Sequence, residues 1–395
     1  MQNLVYPHER TLSVITLVLG LLAWVGLIVG TFGAALLILA VGFIAYLFAQ
    51  SALIARIKGD GIELSEAQFP DLQAQFSACC DRLQIQPRPR AYILNGNGSL
   101  NAFATRFLGR QYVVLNSDVV DAMNRQPDGI SFYMGHELGH LRMKHLTGRF
   151  LRWPVLWLPL LGAAYSRAKE STCDRHGLAC VKSPEVAARA LAALSAGAMR
   201  WENLGINSYM EQARRLPGFW MSFHELVSGY PWLAKRFSRV MDADAKMPRR
   251  NGFAYFPALL VPYAGRLGAG FGFIIMIYTV GVLAAIAIPA YQDYTVRANL
   301  MSVVIESQPS LETLGKFYES SRAIPKSLQT AGLASTLGDG SRLELDPSRM
   351  LLTVHTARGD LIFVPSASAN GHVTWTCTNG ERLRPAQLPP SCRKK

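Results

Sequence analysis

Residues 134–145 read MGHELGHLRMKH. In a helix, His136 and His140 lie one turn apart on the same face, because side chains four apart superpose along the axis. Two imidazole nitrogens can then reach one metal ion, and Glu137 beside them can act as general base on a water at that ion. Zinc suits the arrangement because it lowers the pKa of water towards 7 and polarises a carbonyl. The plain alternative is a helix carrying two solvated histidines. With 8 His and 27 acidic residues in 395, a five-residue match can also arise by chance. Gly139 weighs against the plain reading: glycine costs a helix about 1 kcal/mol relative to alanine, and its missing side chain lets another segment approach closely.

A catalytic zinc takes three protein ligands and keeps one position open. Downstream, SRAKESTCDRHGLAC (166–180) places Glu170 and Asp174 four apart, again on one helical face. Glu170 can supply the third ligand, and Asp174 can accept the second N–H of a liganding histidine and so fix its tautomer. A rival cluster, Cys173, His176 and Cys180, falls at i, i+3 and i+7. It lacks a fourth ligand for a structural zinc, so its cysteines, like adjacent Cys79 and Cys80, read better as small buried hydrophobes. His145 lies off the metal-facing stripe and reads as structural.

The rest of the chain is strongly apolar in runs. Residues 11–30 and 31–54 carry no charge, and each is long enough to cross a bilayer as a helix. They meet at Gly30-Thr31-Phe32-Gly33, a tight-turn sequence. A signal peptide is the weaker reading of the first run, because no small-residue cleavage site follows and a second span comes at once. A third run covers 267–290. Two shorter segments, 153–164 and 253–264, are interrupted by proline and suit an interfacial, re-entrant or core position. The net charge of +13 includes Arg56 and Lys58 after the second span and Lys246, Arg249, Arg250 and Arg266 before the third. Basic residues at span ends mark the cytoplasmic side, and no basic stripe interleaved with aromatics points to nucleic acid.

With these motifs in order, the chain resembles the membrane zinc proteases that include the bacterial heat-shock protease HtpX and the eukaryotic CAAX prenyl protease. Beyond His136-Glu137-Leu138-Gly139-His140, the resemblance rests on QFPDLQAQFSACCDRLQIQPRPRAYILN (68–95), Asn101-Ala102-Phe103-Ala104, YVVLNSDVVDAM (112–123), Glu170 with Asp174, and Pro231 with Arg236 in SGYPWLAKRF. It covers roughly 55–250. It implies a zinc endopeptidase of the gluzincin type, with His136, His140 and Glu170 as ligands to one Zn2+, Glu137 as base and Asp174 as companion acid. It further implies an edge strand at Asn101 and Ala102 beside the cleft, and a substrate-side role for Arg236. One residue departs from the pattern: the family has histidine where this chain has Tyr230. A tyrosine there can donate a hydrogen bond to an oxyanion.

The tail resembles something else. VGVLAAIAIPAYQDYTVRA (280–298) is similar to the N-terminal helix of type IV pilins, and GHVTWTCTNGERLRPAQLPPSCRKK (371–395) is similar to the closing segment of pilin heads. The resemblance implies a disulfide between Cys377 and Cys392. The runs in 350–365 alternate like strands, with Gly-Asp as turn signal. Two pilin features are missing: the glutamate near the mature N-terminus falls on Gly272, and the processing junction on Leu267-Gly268. Leader removal and fibre assembly are therefore not expected.

The expected fold is α+β: a mostly helical, membrane-anchored zincin domain with a small sheet, then a transmembrane helix and a pilin-like antiparallel head. The expected segments are 1–54, 55–252, 253–298 and 299–395. With the N-terminus in the cytoplasm, the hairpin returns the chain there and the third span exports the tail. Cys377 and Cys392 then reach an oxidising compartment, a multi-pass arrangement in a bacterial inner membrane with the head periplasmic. Expected partners are protein or peptide substrates (misfolded or membrane-bound proteins, by the resemblance), membrane lipid and pilus-assembly components, and no nucleic acid. The alternative is a non-catalytic, pilus-associated membrane protein with a degenerate zinc domain.

Overall fold

A computed structural model describes residues 4–216, 218–265, 268–368 and 371–393. Arg266 and Leu267, counted above among the basic flank and the processing junction, lie outside the described residues. The chain divides into two compact units, Met1–Ile277 and Tyr278–Lys395.

The first unit opens with two apolar helices, α1 (Pro7–Gly30) and α2 (Ala34–Asp60). Phe32 and Gly33 reverse the chain between them at φ values of 48° and 83°, the left-handed region that glycine enters without penalty. Strand β1 (Ile62–Glu63), α3 (Pro70–Arg82), β2 (Arg90–Leu94), β3 (Ala102–Phe107), β4 (Arg110–Asn116) and α4 (Ser117–Ala122) follow. Then come α5 (Asp128–Arg142), α6 (Arg149–Leu156), α7 (Leu161–Cys180), α8 (Pro184–Ala196), α9 (Ile206–Arg214), α10 (Phe219–Val227), α11 (Leu233–Met241) and α12 (Tyr255–Ala258). The short apolar segments 153–164 and 253–264 therefore hold short helices and helix ends.

The sheet runs in the order β1-β2-β4-β3, with β2 parallel to β4 and β3 antiparallel to it in the register Ala102↔Leu115. Both faces of β4 are buried. Val113 and Leu115 join the main core with α3 and α5, while Tyr112 and Val114 pack on Ile54 and Ile57 of α2. A strand buried on two faces reads as the continuous apolar run YVVL. Strand β3 is left at the edge of the sheet.

Helix α5 is buried along most of its length although it carries His136, Glu137 and His140, the polar groups of a site set inside a core helix. It packs against α7 at very short range. A Cβ on Gly139 would meet His176 Cβ at 3.0 Å and Cys173 Cα at 3.2 Å. The close approach inferred from Gly139 is thus made by α7. Helix α1 packs against α6 and α7 along one stripe, Glu9, Thr16, Gly20 and Trp24, and the Trp24 indole donates to the Phe150 carbonyl at 3.1 Å.

Helix α13 (Gly268–Ser321) runs from the first unit into the second. Gly272 sits where a Cβ would come within 2.4 Å of the Pro262 carbonyl oxygen, so the glutamate that pilins carry at this position has no room. Within the second unit, Leu300, Val303, Val304, Leu311 and Leu314 of the helix pack on a four-stranded antiparallel sheet, β5 (Arg342–Asp346), β6 (Leu351–Thr356), β7 (Gly359–Ala367) and β8 (Val373–Asn379), in that order. Thr356 pairs with Gly359, so the β6–β7 turn is Ala357-Arg358 and not Gly-Asp: Gly359 already begins the strand. Cys377 and Cys392 form a disulfide that ties β8 to the C-terminal segment. Among the described residues, three helices, α1, α2 and α13, are long and apolar enough to cross a membrane.

Candidate metal centre

Helix α5 presents His136 and His140 on one face, and α7 presents Glu170 to both. His136 Nε2 lies 3.3 Å from Glu170 Oε2, and His140 Nε2 lies 3.7 Å from Glu170 Oε1. The other ring nitrogens point away and are engaged. His136 Nδ1 lies 3.0 Å from Asp174 Oδ1. A carboxylate only accepts, so Nδ1 carries a hydrogen, and Nε2 is the ring nitrogen turned to Glu170. Asp174 is in turn clamped by Arg236, whose Nε donates to Oδ2 at 2.9 Å and whose Nη2 donates to Oδ1 at 2.7 Å. This fork-to-carboxylate geometry makes a strong and directional pair.

Charge in the pocket is sorted by these contacts. Burial works against ionisation of Asp174, but the Arg236 charge and hydrogen bonds hold its carboxyl well below the ordinary range. Burial also opposes Glu170, yet the His136 hydrogen bond and the charges of His140, His136 and Arg236 bring it down to about 2. Burial lowers the His136 pKa, but Asp174 and Glu170 overcome this and raise it to about 10. Burial pushes His140 well below its ordinary value.

Cys173 is a second candidate donor. Its sulfur and one ring nitrogen each of His136 and His140 lie within 4.8 Å of one another. It stands on the far side of His140, 3.7 Å from His145 Nδ1, and burial raises its thiol pKa well above the usual value. The rival Cys173, His176 and Cys180 cluster does not converge. His176 Nδ1 hydrogen-bonds the Thr172 carbonyl at 2.8 Å, and Cys180 packs by Gly135 and Cys79.

His145 is outside the candidate ligand group, in keeping with the sequence reading, but it touches His140. Helix α5 ends at Arg142, Lys144 takes a positive φ of 56°, and the chain doubles back so that His145 N donates to the His140 carbonyl at 3.0 Å. The two Nδ1 atoms then stand 3.0 Å apart, and His145 Nε2 lies 2.8 Å from Glu9 Oε1 of α1. Burial lowers the His145 pKa, with Glu9 opposing. The only sequence signals for this chain of contacts are the two residue types themselves, since Glu9 and His145 are 136 positions apart.

A cavity of about 850 Å³ opens over these groups, lined by His136, Glu137, His140 and Glu170 together with Asn101, Ala102, Tyr230 and Arg236. Every cleft residue named from sequence therefore borders one space. Ala102 and Ala104 bring the edge strand β3 to one side, and Leu156, Trp157, Phe271 and Ile275 add apolar wall. Arg167 fixes the loop that carries Tyr230: its Nη1 donates to the carbonyls of Glu225, Leu226 and Ser228 at 2.6, 2.9 and 2.6 Å.

Residues 66–161 match peptidase family M48. The match includes the two histidines and Glu137 and stops before Glu170 and Cys173. The matched family is one of metallopeptidases, and the two histidines with Cys173 could bind a metal ion. Separately, the chain is similar to the type IV major pilin protein PilE1 of Neisseria gonorrhoeae, 27% identical over 145 residues, which is 30% of this chain and 88% of the relative. It is 39% identical over 62 residues to a PilE of the same species, 16% of this chain and 37% of the relative. A fimbrial protein of Neisseria meningitidis serogroup B is 25% identical over 150 residues, 30% of this chain and 88% of the relative. The chain thus combines a peptidase M48 segment with type IV pilin likeness, and its three apolar helices fit membrane anchoring.

Proposed function

We propose that the chain is a membrane-bound zinc endopeptidase of the gluzincin type, with His136, His140 and Glu170 as ligands. The observation that carries this reading is the convergence of the two Nε2 atoms on one carboxylate while Asp174 and His145 occupy both Nδ1 atoms. Two imidazole lone pairs and one carboxylate make the three-ligand set of a catalytic site with an open fourth position. Glu170 fits better than Cys173 because its carboxylate oxygens face the Nε2 atoms of both histidines, at 3.3 and 3.7 Å.

A zinc ion bound there supplies a Lewis acid for the scissile carbonyl and lowers the pKa of water. Glu137, on the cavity wall, takes a proton from the attacking water and passes it to the leaving amine. Asp174, locked by Arg236, holds His136 in the binding tautomer. An extended peptide adds to the edge of β3 at Asn101–Ala104, where backbone hydrogen bonds align it across the site. Tyr230 supplies an oxyanion donor. Substrates are misfolded or membrane-bound proteins, in keeping with a cavity that has an edge strand on one side and apolar wall on the other. The protease segment faces the cytoplasm of a bacterial inner membrane. The pilin-like head lies outside, where the Cys377–Cys392 disulfide persists and where pilus-assembly components are candidate partners.

Zinc content and casein cleavage, measured for the full-length protein in detergent and for its Glu137→Gln variant, test the reading. Both proteins are expected to hold zinc and only the wild type to cut. Zinc bound without Glu137-dependent cleavage sinks the protease reading and favours a non-catalytic, pilus-associated protein.

A further inference from the structure

We propose that Glu9 and His145 are positioning residues for the metal centre, so that the first membrane helix is part of the site and not only its anchor. This rests on the zinc reading above and concerns what holds His140. The carboxylate of Glu9 only accepts, so the hydrogen on the His145 ring sits on Nε2, 2.8 Å away. The neutral ring then offers a lone pair at Nδ1, 3.0 Å from His140 Nδ1. The hydrogen between the two Nδ1 atoms belongs to His140, and its Nε2 lone pair is left facing Glu170. Glu9, through His145, does for His140 what Asp174 does directly for His136. Orienting a liganding histidine through its second ring nitrogen is a general device of metal sites. The unusual element is the imidazole spacer, which lets the carboxylate come from a helix 136 residues away in sequence.

The arrangement is built and not incidental. The side chains of His145 and Glu9 are 3% and 4% exposed, and burying a carboxylate is costly unless it is paired. The entry to α1 is fixed to α7, the helix of Glu170 and Asp174. Tyr6 N donates to Thr172 Oγ1 at 2.9 Å and Arg175 Nη1 to the Val5 carbonyl at 3.1 Å. An ion pair serving only to dock α1 would not need the His145 ring turned edge-on to His140. Cys173 Sγ, 3.7 Å from His145 Nδ1, is the remaining neighbour of that nitrogen and a weaker partner for it.

The test uses the full-length protein in detergent, with zinc affinity measured by chelator competition and cobalt(II) spectra recorded alongside. His145→Phe and Glu9→Gln are expected to weaken zinc binding by about 10- to 100-fold and to shift the visible cobalt bands. The double variant should be no weaker than His145→Phe alone, because Glu9 acts through His145. Glu9→Gln is nearly isosteric but replaces an acceptor-only carboxylate by a neutral amide that can turn its NH2 to His145 and so no longer fixes the tautomer, and it reports even if His145→Phe does not fold. Ser13→Ala removes a neighbouring α1 contact, the 2.9 Å hydrogen bond from Arg152, and should bind zinc like the wild type. If both relay variants bind like the wild type while Asp174→Asn is weakened, the relay is overturned and the metal site stands. Equal weakening in Ser13→Ala also overturns it, as general loosening of α1. A wild type that binds no zinc overturns the metal site itself.

Discussion

Gly135 of α5, with Gly177 of α7, lets the two helices come close beside the histidines. A Cβ on Gly135 would stand 2.7 Å from Cys180 Sγ and 2.9 Å from the His176 carbonyl oxygen, whereas at Gly139 the nearest atom is 3.0 Å away. Gly135→Ala must push the two helices apart and should cost about 1–3 kcal/mol, the usual penalty of overpacking a core. Gly139→Ala should cost less, since its neighbours need only yield slightly. Thermal unfolding of the two variants checks this, and a Gly135→Ala protein as stable as the wild type would contradict it. At this scale the sequence was partly readable. A glycine inside a helix announces a close approach, and residues four apart announce a shared face, because both are local geometry. Which glycine is tighter depends on α7, and no local rule reveals it. The contact of His145 with His140 was hidden for the same reason: a stripe argument assumes a straight helix, whereas the positive φ at Lys144 follows the helix end and returns the ring to His140.

Helices α10 and α11 are held together by charge below the cavity. Buried Glu225 accepts from Lys235 Nζ at 2.6 Å and from Arg250 Nε at 3.1 Å. Burial alone would raise its pKa, but Arg250 and Lys235 bring it below the ordinary carboxylate value. A folded pKa below the unfolded one stabilises the fold above the ordinary carboxylate range and loses that contribution as pH falls through the folded value. The melting temperature of the wild type should therefore exceed that of Glu225→Gln at neutral pH, and the gap should close as the pH falls through and below the ordinary carboxylate range. A gap independent of pH would show that the carboxylate charge is not what holds the pair. The elements themselves were legible. The family resemblance carried by 68–95, Asn101–Ala104 and 112–123 implied a helix and strand, an edge strand and a further strand, and α3, β3 and β4 lie in or overlap those stretches. The Glu225 cluster was not, because its members are 10 and 25 positions apart and meet only once the Arg167-anchored loop is folded. The β6–β7 turn fell two residues earlier than Gly-Asp suggested, since Gly359 tolerates a strand position as well as a turn.

At the scale of the whole chain, the three apolar helices and the paired cysteines were the easiest features to read, because hydropathy and pilin-like end sequences are long signals. What was hidden is that α1 and α2 are packing partners of the segment that matches peptidase family M48, with Trp24 on α6 and Ile54 and Ile57 on the sheet. The proposed orientation gives a labelling result. The four free cysteines are buried and the other two are disulfide-bonded, so background is low. In spheroplasts an impermeant maleimide should label Lys326→Cys at once and Asn124→Cys only after permeabilisation, and the reverse pattern would invert the topology. The central claim is that one zinc ion is held by His136, His140 and Glu170. Metal analysis of the full-length protein tests it most directly. Wild type and Cys173→Ala should each carry about one zinc per chain and Glu170→Ala almost none, whereas a zinc-loaded Glu170→Ala beside an empty Cys173→Ala would contradict it.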